Sequence, residues 1–304
     1  MLRSMGRKFV VAVLSTAALA ACGEKTGLAG DPGAPAASPT AHLAADDPVR
    51  AVATVLDAGD GPVLCLSGVA DSLPPICDGP EVVGWDWVEQ PEHESASGAR
   101  WGTFVLVGSW NGTTFTAAEA RQATPEDWPS DDASIPKTPC DEPTGGWTVV
   151  DPATTNRASR AAVGRAAEKL PDYGLLWVDQ SINPLWQDYL DGDYSMEVQQ
   201  GLNDPTLTII NVGVTGDPSA AEAELRNVWG GPLCVSQLAN TQQRLREVAE
   251  TLKDLPGSLG PQFGTVSNRV ELPVVYDDGS IQAWVDQEYG EDGVEVTSAF
   301  TPLA

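Results

Sequence analysis

The rhythm of apolar and polar residues changes several times along this chain, and each change marks a boundary. Residues 9–21 form an apolar run broken only by Ser15 and Thr16, behind the basic residues Arg3, Arg7 and Lys8. Such a run is too short to cross a bilayer as a mature helix and, with its basic head, reads as a signal peptide over residues 1–21. From 22 to 47 the chain is rich in Gly, Ala, Pro and Asp. That composition cannot bury enough apolar surface to offset the entropy of ordering, so a flexible tether is expected. Short extended segments follow: 49–55 opens a strand or short helix, and strands are expected at 63–66, 81–87, 101–110 and 113–116. Asn111-Gly112 between the last two favours a type I′ hairpin, whose central residues both take positive φ. Residues 48–123 are therefore expected to form a small, mostly antiparallel β domain, either an OB-like half-open barrel or a less regular sandwich.

Residues 124–155 are rich in Pro, Asp and Thr and read as a linker, with a short strand at 147–150. An Ala-rich helix over 157–170, carrying Arg157, Arg160, Arg165 and Lys169, stops at Pro171. A strand at 174–177 follows, and 183–187 fits no pattern. Then an order of elements repeats. Residues 207–214 are extended, a helix runs from Asp217-Pro218 to Trp229, Gly230 ends it, and 233–235 is extended again. Sixty residues later 270–276 is extended, a helix covers 280–289, Gly290 ends it, and 294–296 is extended. Asp217 can cap its helix with Pro218 in the first turn, and each glycine can take the left-handed position after the last turn. Ile281, Trp284, Val285 and Tyr289 make one apolar stripe. Between the copies, Asn240 and Gln243 suit a capping box for a helix with Leu245, Val248, Ala249, Leu252 and Leu255 on one side. The chain is thus expected to be α+β, with residues 156–304 a two-layer α/β sandwich that packs these stripes on one sheet. The two βαβ units are either a duplication or two unrelated crossovers sharing stop signals.

Leu19-Ala20-Ala21-Cys22-Gly23, where the apolar run ends, resembles the lipobox of bacterial lipoproteins. The resemblance implies that Cys22 is lipidated, with palmitate among its two or three acyl chains, and holds the chain on the extracytoplasmic face of the cell membrane. One acyl chain alone would bind only reversibly. The alternative is ordinary secretion with Cys22 beside the cleavage site by chance. The formal charge of -26 becomes about -29 once Arg3, Arg7 and Lys8 are removed, so nucleic acid is excluded as a partner for want of a basic footprint. Anionic headgroups are disfavoured for the same reason, and the acidity reads as a solvated surface. With Cys22 lipidated, Cys65, Cys77, Cys140 and Cys234 remain, an even number suited to two disulfides outside the cytoplasm. Of the three connectivities, Cys65 with Cys77 closes a short loop around Leu73-Pro74-Pro75, and Cys140 with Cys234 fastens the linker to the second domain.

Chemistry is sparse. His42 falls in the tether and His93 in an acidic loop with no serine elbow, so no nucleophilic triad is indicated. The chain has no CxxC pair, and Gly230-Gly231-Pro232 lacks the lysine of a phosphate loop. No cofactor, metal or enzymatic activity is expected. Asp188, Asp191 and Asp193 offer oxygens to calcium but lack the spacing and terminal Glu of a calcium loop, which leaves a solvated turn. Trp85, Trp87, Trp101 and Trp110 are candidates for an aromatic groove. Facing outward, Trp85 and Trp87 would stack on a sugar or an apolar partner; facing inward, they are core. The segment Cys65-Leu66-Ser67-Gly68, Ser72-Leu73-Pro74-Pro75-Ile76-Cys77, Gly79-Pro80 and Gly84-Trp85-Asp86-Trp87 is similar to one in uncharacterised lipoproteins of high-GC Gram-positive bacteria (actinobacteria). That similarity implies a location and a shared domain, and it carries over no catalytic residue. The expectation is a non-enzymatic envelope lipoprotein, a surface module binding an envelope protein or a carbohydrate. The alternatives are a structural accessory domain and, third, a carbohydrate-active hydrolase.

Overall fold

The computed structural model describes residues 39–41, 47–128, 137–264 and 266–303. The expected signal peptide, Cys22 and His42 lie outside them. In β1 (Pro48–Asp57) the apolar residues Val49, Ala51, Ala53 and Val55 are buried and alternate with half-buried neighbours, the period of a strand with one face on a core. β1 pairs antiparallel with β2 (Pro62–Cys65), which pairs with β3 (Glu81–Val83). β4 (Glu94–Ala96) forms a hairpin with β5 (Ala99–Trp110), and β5 pairs with both β1 and β6 (Thr114–Gln122). β6 runs parallel to β3, so β1-β2-β3-β6-β5 returns to β1 and closes a five-stranded barrel of the OB-like kind. Its interior is filled by the β1 residues with Leu64, Val82, Phe104, Leu106 and Phe115.

Two local expectations change here. The extended run at 81–87 ends at Val83, because Gly84 takes φ +79° and Trp87–Glu89 winds into a 3-10 turn capped by Asp86, which accepts from the Val88 N–H. The hairpin at 111–112 forms without a type I′ turn. Gly112 sits at φ +101° while Asn111 stays out of the left-handed region and instead accepts the N–H groups of Thr113 and Thr114 on its side-chain oxygen. The asparagine thus shapes the turn through its amide. Where β1 ends, buried Asp57 accepts from Gly59 N–H, Gly61 N–H, Trp87 Nε1 and Arg100. Burial alone would push its carboxyl up; these donors outweigh burial and hold it below the ordinary carboxylate range.

No strand forms at 147–150. Instead the N–H groups of Val150 and Asp151 both donate to Gly230 O. Beyond this connector come α1 (Arg157–Ala167), β7 (Tyr173–Asp179), two short helices α2 (Trp186–Leu190) and α3 (Met196–Gly201), then β8 (Ile209–Val214), α4 (Pro218–Leu225) and β9 (Leu233–Gln237). α5 (Gln242–Leu252), β10 (Val270–Val274), α6 (Ser280–Tyr289) and β11 (Val294–Ser298) follow. The crossover β8-α4-β9 is parallel, as is β10-α6-β11. The strands belong to two sheets, β7-β8-β9 and β10-β11, rather than one. Ile210, Val212 and Val214 pack on α1 and α4; the α5 stripe Leu245, Val248, Ala249, Leu252 and Leu255 packs with Ile281 and Val285 on β10 and β11. Each of these Val, Leu and Ile side chains contributes roughly 1.5–3 kcal/mol by leaving water. The α5 cap is Thr241, accepting from Arg244 N–H, one residue later than the capping box expected at Asn240. Asn240 is engaged elsewhere, in a reciprocal amide clasp with Asn268 that joins the end of β9 to the start of β10. Gly230 does not take positive φ. A Cβ there would stand 2.3 Å from Asp151 O, so the glycine is required by the close approach of the connector.

The repeat is longer than a βαβ unit. Each position of α5 lies 85 residues after its counterpart in α1: caps Asn156 and Thr241 each accept from the N–H three residues on, and buried Val163, Ala167 and Leu170 correspond to Val248, Leu252 and Leu255. β7 pairs antiparallel with β8 through Tyr173 opposite Val214 and Trp177 opposite Asn211. In the second copy Ser258 stands opposite Val274 and Gln262 opposite Glu271, the same register with the same one-residue irregularity. The parallel ladders also agree, Ile210 opposite Leu233 and Val270 opposite Val294. Each unit therefore runs helix, antiparallel segment, strand, helix, parallel strand, the antiparallel segment being strand β7 in the first unit and two isolated bridges in the second.

After β11 the chain returns to the barrel. β12 (Thr301–Pro302) pairs with the start of β1, and Phe300, fully buried, stacks on Phe115 at 5.6 Å and 9° and lies 5.4 Å from Trp110. The barrel core is thus completed by a residue from the far end of the chain. Both disulfides join the pairs expected, Cys65–Cys77 and Cys140–Cys234, with Cα–Cα distances of 5.7 and 5.8 Å. Disulfides of this kind persist in oxidising compartments outside the cytoplasm. Among the described residues no helix is long and apolar enough to cross a membrane.

Candidate functional site

The four tryptophans expected to line a groove do not come together. Trp85 and Trp87 both face the barrel core, 5.3 Å apart and edge to face, with Phe104 beside them. Trp87 is buried and gives its Nε1–H to Asp57. Trp101 is buried in a separate cluster with Leu56 and Cys65, and Trp110 packs against Phe300. Trp85 and Trp87 help fill the barrel and Trp101 packs in its own cluster, while Trp110 stays half-buried and borders an open cavity of about 330 Å³ with Asn111, Val275 and Tyr276. His93 lies over Trp87 at 5.1 Å, with Nδ1 2.6 Å from Gln90 O. Asp191 accepts from Gln187, and Asp193 accepts from Ser195 N–H, both duties of a turn.

Another aromatic surface, made of half-buried Trp186 and Tyr189 with exposed Tyr194, lies between β7 and β8 within the first repeat unit. Trp177 and Asn211 are 34 positions apart, whereas their counterparts Gln262 and Glu271 are 9 apart, so the first unit carries 25 extra residues. They hold α2 and α3. Trp186 and Tyr189, three apart on α2, stack at 5.6 Å and 16°, and Tyr194 meets Tyr189 edge-on at 5.1 Å. Tyr194 is 62% exposed and Met196 75%. The shelf is pinned from beneath. Buried Asn183 accepts from Leu185 N–H and donates to Gly201 O, tying the start of α2 to the end of α3; Gln180 donates to Leu202 O; and Val198 and Leu202 anchor α3 in the interior. The rings are therefore held by buried polar ties and apolar anchors rather than left on a free loop.

An open cavity of about 550 Å³ lies against this shelf, lined by Trp186, Tyr189, Tyr194 and the amides of Gln180, Gln199 and Asn203. Asn203 also borders a second cavity of about 560 Å³ lined by Arg157 and Arg160 of α1 and Gln200. Both fall in the usual range for ligand sites, about 300–1,000 Å³. Asn203 donates to Gln199 O and presents its side-chain oxygen to Arg160 at 3.5 Å. The side-chain oxygens of Gln180 and Gln199 have no partner among the described residues and are open as acceptors. Neither Arg157 nor Arg160 makes an ion pair among the described residues. Burial, and then the charge of Arg157, push the Arg160 guanidinium below its usual pKa.

A third open cavity, of about 650 Å³, borders Asp179, Trp147 and the Cys140 end of the long disulfide. Its buried carboxylate is already engaged: Asp179 accepts the N–H and hydroxyl of Thr138 at 2.9 and 2.7 Å and the N–H of Ser181 at 2.8 Å. Burial would raise its pKa, and these donors outweigh burial and lower it. This Asp is a fastener for the connector.

Sequence reasoning passed over Trp186, Tyr189 and Tyr194. The signal available was their helical spacing: three apart places two rings on one helix face. No family model, no curated protein and no solved structure matches the chain.

Proposed function

We propose that this chain is a lipid-anchored, non-enzymatic binding module on the extracytoplasmic face of the cell membrane, and that its ligand is a carbohydrate held on the α2–α3 shelf. One observation carries the reading: the 25 residues by which the first unit exceeds the second are the ones that bear the stacked, half-buried rings of Trp186 and Tyr189 and the exposed ring of Tyr194. Positions common to both units serve the fold; what one unit adds is free to serve a ligand. A sugar ring offers C–H groups on its face and hydroxyls around its edge. Flat aromatic rings suit the first, and amide oxygens that lack partners suit the second.

Neither of the two buried aspartates is poised as a general acid. Asp57 and Asp179 are both held below the ordinary range by surrounding donors, whereas a general acid needs its pKa raised. The anchor is supported by the apolar leader ending at Cys22, and by the disulfides, which suit an oxidising compartment.

Tyr194→Ala tests the shelf. Binding to a panel of neutral and acidic oligosaccharides, measured by calorimetry, is expected to weaken by about tenfold or more. Because Tyr194 is exposed, the melting transition is expected to stay within about 0.5 kcal/mol of the parent. Binding that survives the substitution unchanged rules out the shelf. For the anchor, the protein is expected in the membrane fraction until detergent is added, and Cys22→Ser is expected to release it to the medium. Equal retention of the Cys22→Ser protein contradicts lipidation.

A further inference from the structure

The repeat also shows what is unusual about the charged end of the site. Arg160 of α1 occupies the position that Leu245 fills in α5, and Leu245 is buried in the apolar stripe. The first unit thus places a guanidinium at a core-side position of its helix. Arg157, one turn earlier, corresponds to Gln242. The chain has 43 acidic residues against 17 basic ones, yet no carboxylate pairs with either arginine among the described residues. Arg160 instead meets the side-chain oxygen of Asn203 at 3.5 Å. With one long amide contact and no carboxylate, the half-buried Arg160 guanidinium keeps most of its N–H donors open to an anionic ligand. The aromatic end has the opposite character: Asp188, Asp191, Asp193 and Glu197 are exposed around the rings and repel an anion there.

We propose that the ligand is a saccharide bearing a carboxylate, its ring on the aromatic shelf and its carboxylate in the cavity lined by Arg157 and Arg160. This rests on the carbohydrate reading above and adds the charge and the direction of the ligand. Guanidinium groups match the planar geometry of a carboxylate. Asn203, which borders both cavities, stands where the neutral and charged parts of such a ligand meet.

The full chain, with both disulfides formed, is titrated with a galacturonate tetramer and with the neutral galactose tetramer. The acidic tetramer is expected to bind about tenfold more tightly, and its advantage is expected to vanish near 0.5 M salt. Arg160→Leu installs the residue that the second unit carries at the same place. It is expected to keep the melting transition, keep binding of the neutral tetramer, and remove the preference for the acidic one. Arg157→Gln is expected to act in the same direction, so a folding defect in one variant still leaves the other as a test. Equal binding of the two tetramers, with loss in Tyr194→Ala, overturns the acidic ligand while leaving the shelf in place. Binding of neither tetramer overturns both readings. Preference for the acidic tetramer that persists in Arg160→Leu and Arg157→Gln places the attraction elsewhere and overturns the proposal. So does arginine-dependent capture by phosphatidylglycerol vesicles in place of the tetramer.

Discussion

Replacing Cys140 and Cys234 together by serine is expected to lower the unfolding free energy by about 4–5 kcal/mol, the largest loss foreseen for any pair of small substitutions in this protein. The bridge closes a loop of 94 positions, and Cys234 sits fully buried on β9, beside Asn211 of β8. Cutting it frees the unfolded chain to explore far more conformations, and the native state also loses the staple that holds the 137–147 connector over the three-stranded sheet. Among the described residues, the Thr138 bonds to Asp179 would still hold that connector, with the bonds of Val150 and Asp151 to Gly230 just beyond it. The shorter bridge closes only 12 positions and is worth about 3 kcal/mol in the same chain-entropy picture. Urea unfolding of the parent and of the two double-serine proteins separates the contributions. A smaller loss for Cys140/Cys234 than for Cys65/Cys77 contradicts the account of how the connector is fastened.

Phe300→Ala is expected to cost about 3–5 kcal/mol, the range for removing a fully buried aromatic side chain. The ring lies between Phe115 and Trp110 inside the barrel, although the chain delivers it from the far end of the second repeat unit. Ala299 and Phe300 donate their N–H groups to Val274 and Val275, so the ring is also held from the β10 side. The loss is expected to appear as a lower melting temperature together with increased solvent quenching of Trp110 fluorescence. Leu303→Ala, at an exposed neighbour, is the control and is expected to be close to neutral. A cost below about 1 kcal/mol for Phe300→Ala would mean that the barrel closes without its C-terminal residue.

Local pattern carried much of this fold. The two-residue period of β1, the extended run of β5, the apolar stripes of α5 and α6 and the Asp217-Pro218 start of α4 are all properties of neighbouring residues, and they appear where the pattern puts them; α4 stops at Leu225 rather than Trp229, and β6 runs on from the expected 113–116 to Gln122. Cysteine arithmetic led to both disulfides. What stayed hidden depends on distant pairing. Closure of the barrel needs β3 beside β6 and β1 beside β5, and nothing in any one segment announces it. The second copy of β7 is reduced to bridges at Ser258 and Gln262, in a stretch broken by Gly257, Gly260 and Pro261, so it carries no strand signal and the full repeat could not be seen. The site was hidden for a related reason. α2 and α3 are five and six residues long, too short to show a period, and the Asp and Gly around them read as a solvated turn. Of the tryptophans that did stand out, Trp85 and Trp87 are taken up by the barrel core, Trp101 by a separate cluster, and Trp110 by its packing on Phe300.

The most direct test of the shelf is hydrogen exchange of the full chain with and without saturating galacturonate tetramer. Slowed exchange is predicted over residues 186–203 and at the start of α1, with residues 258–269, the corresponding stretch of the second unit, unchanged. Protection centred on the barrel or on the second unit, or no protection anywhere, contradicts it.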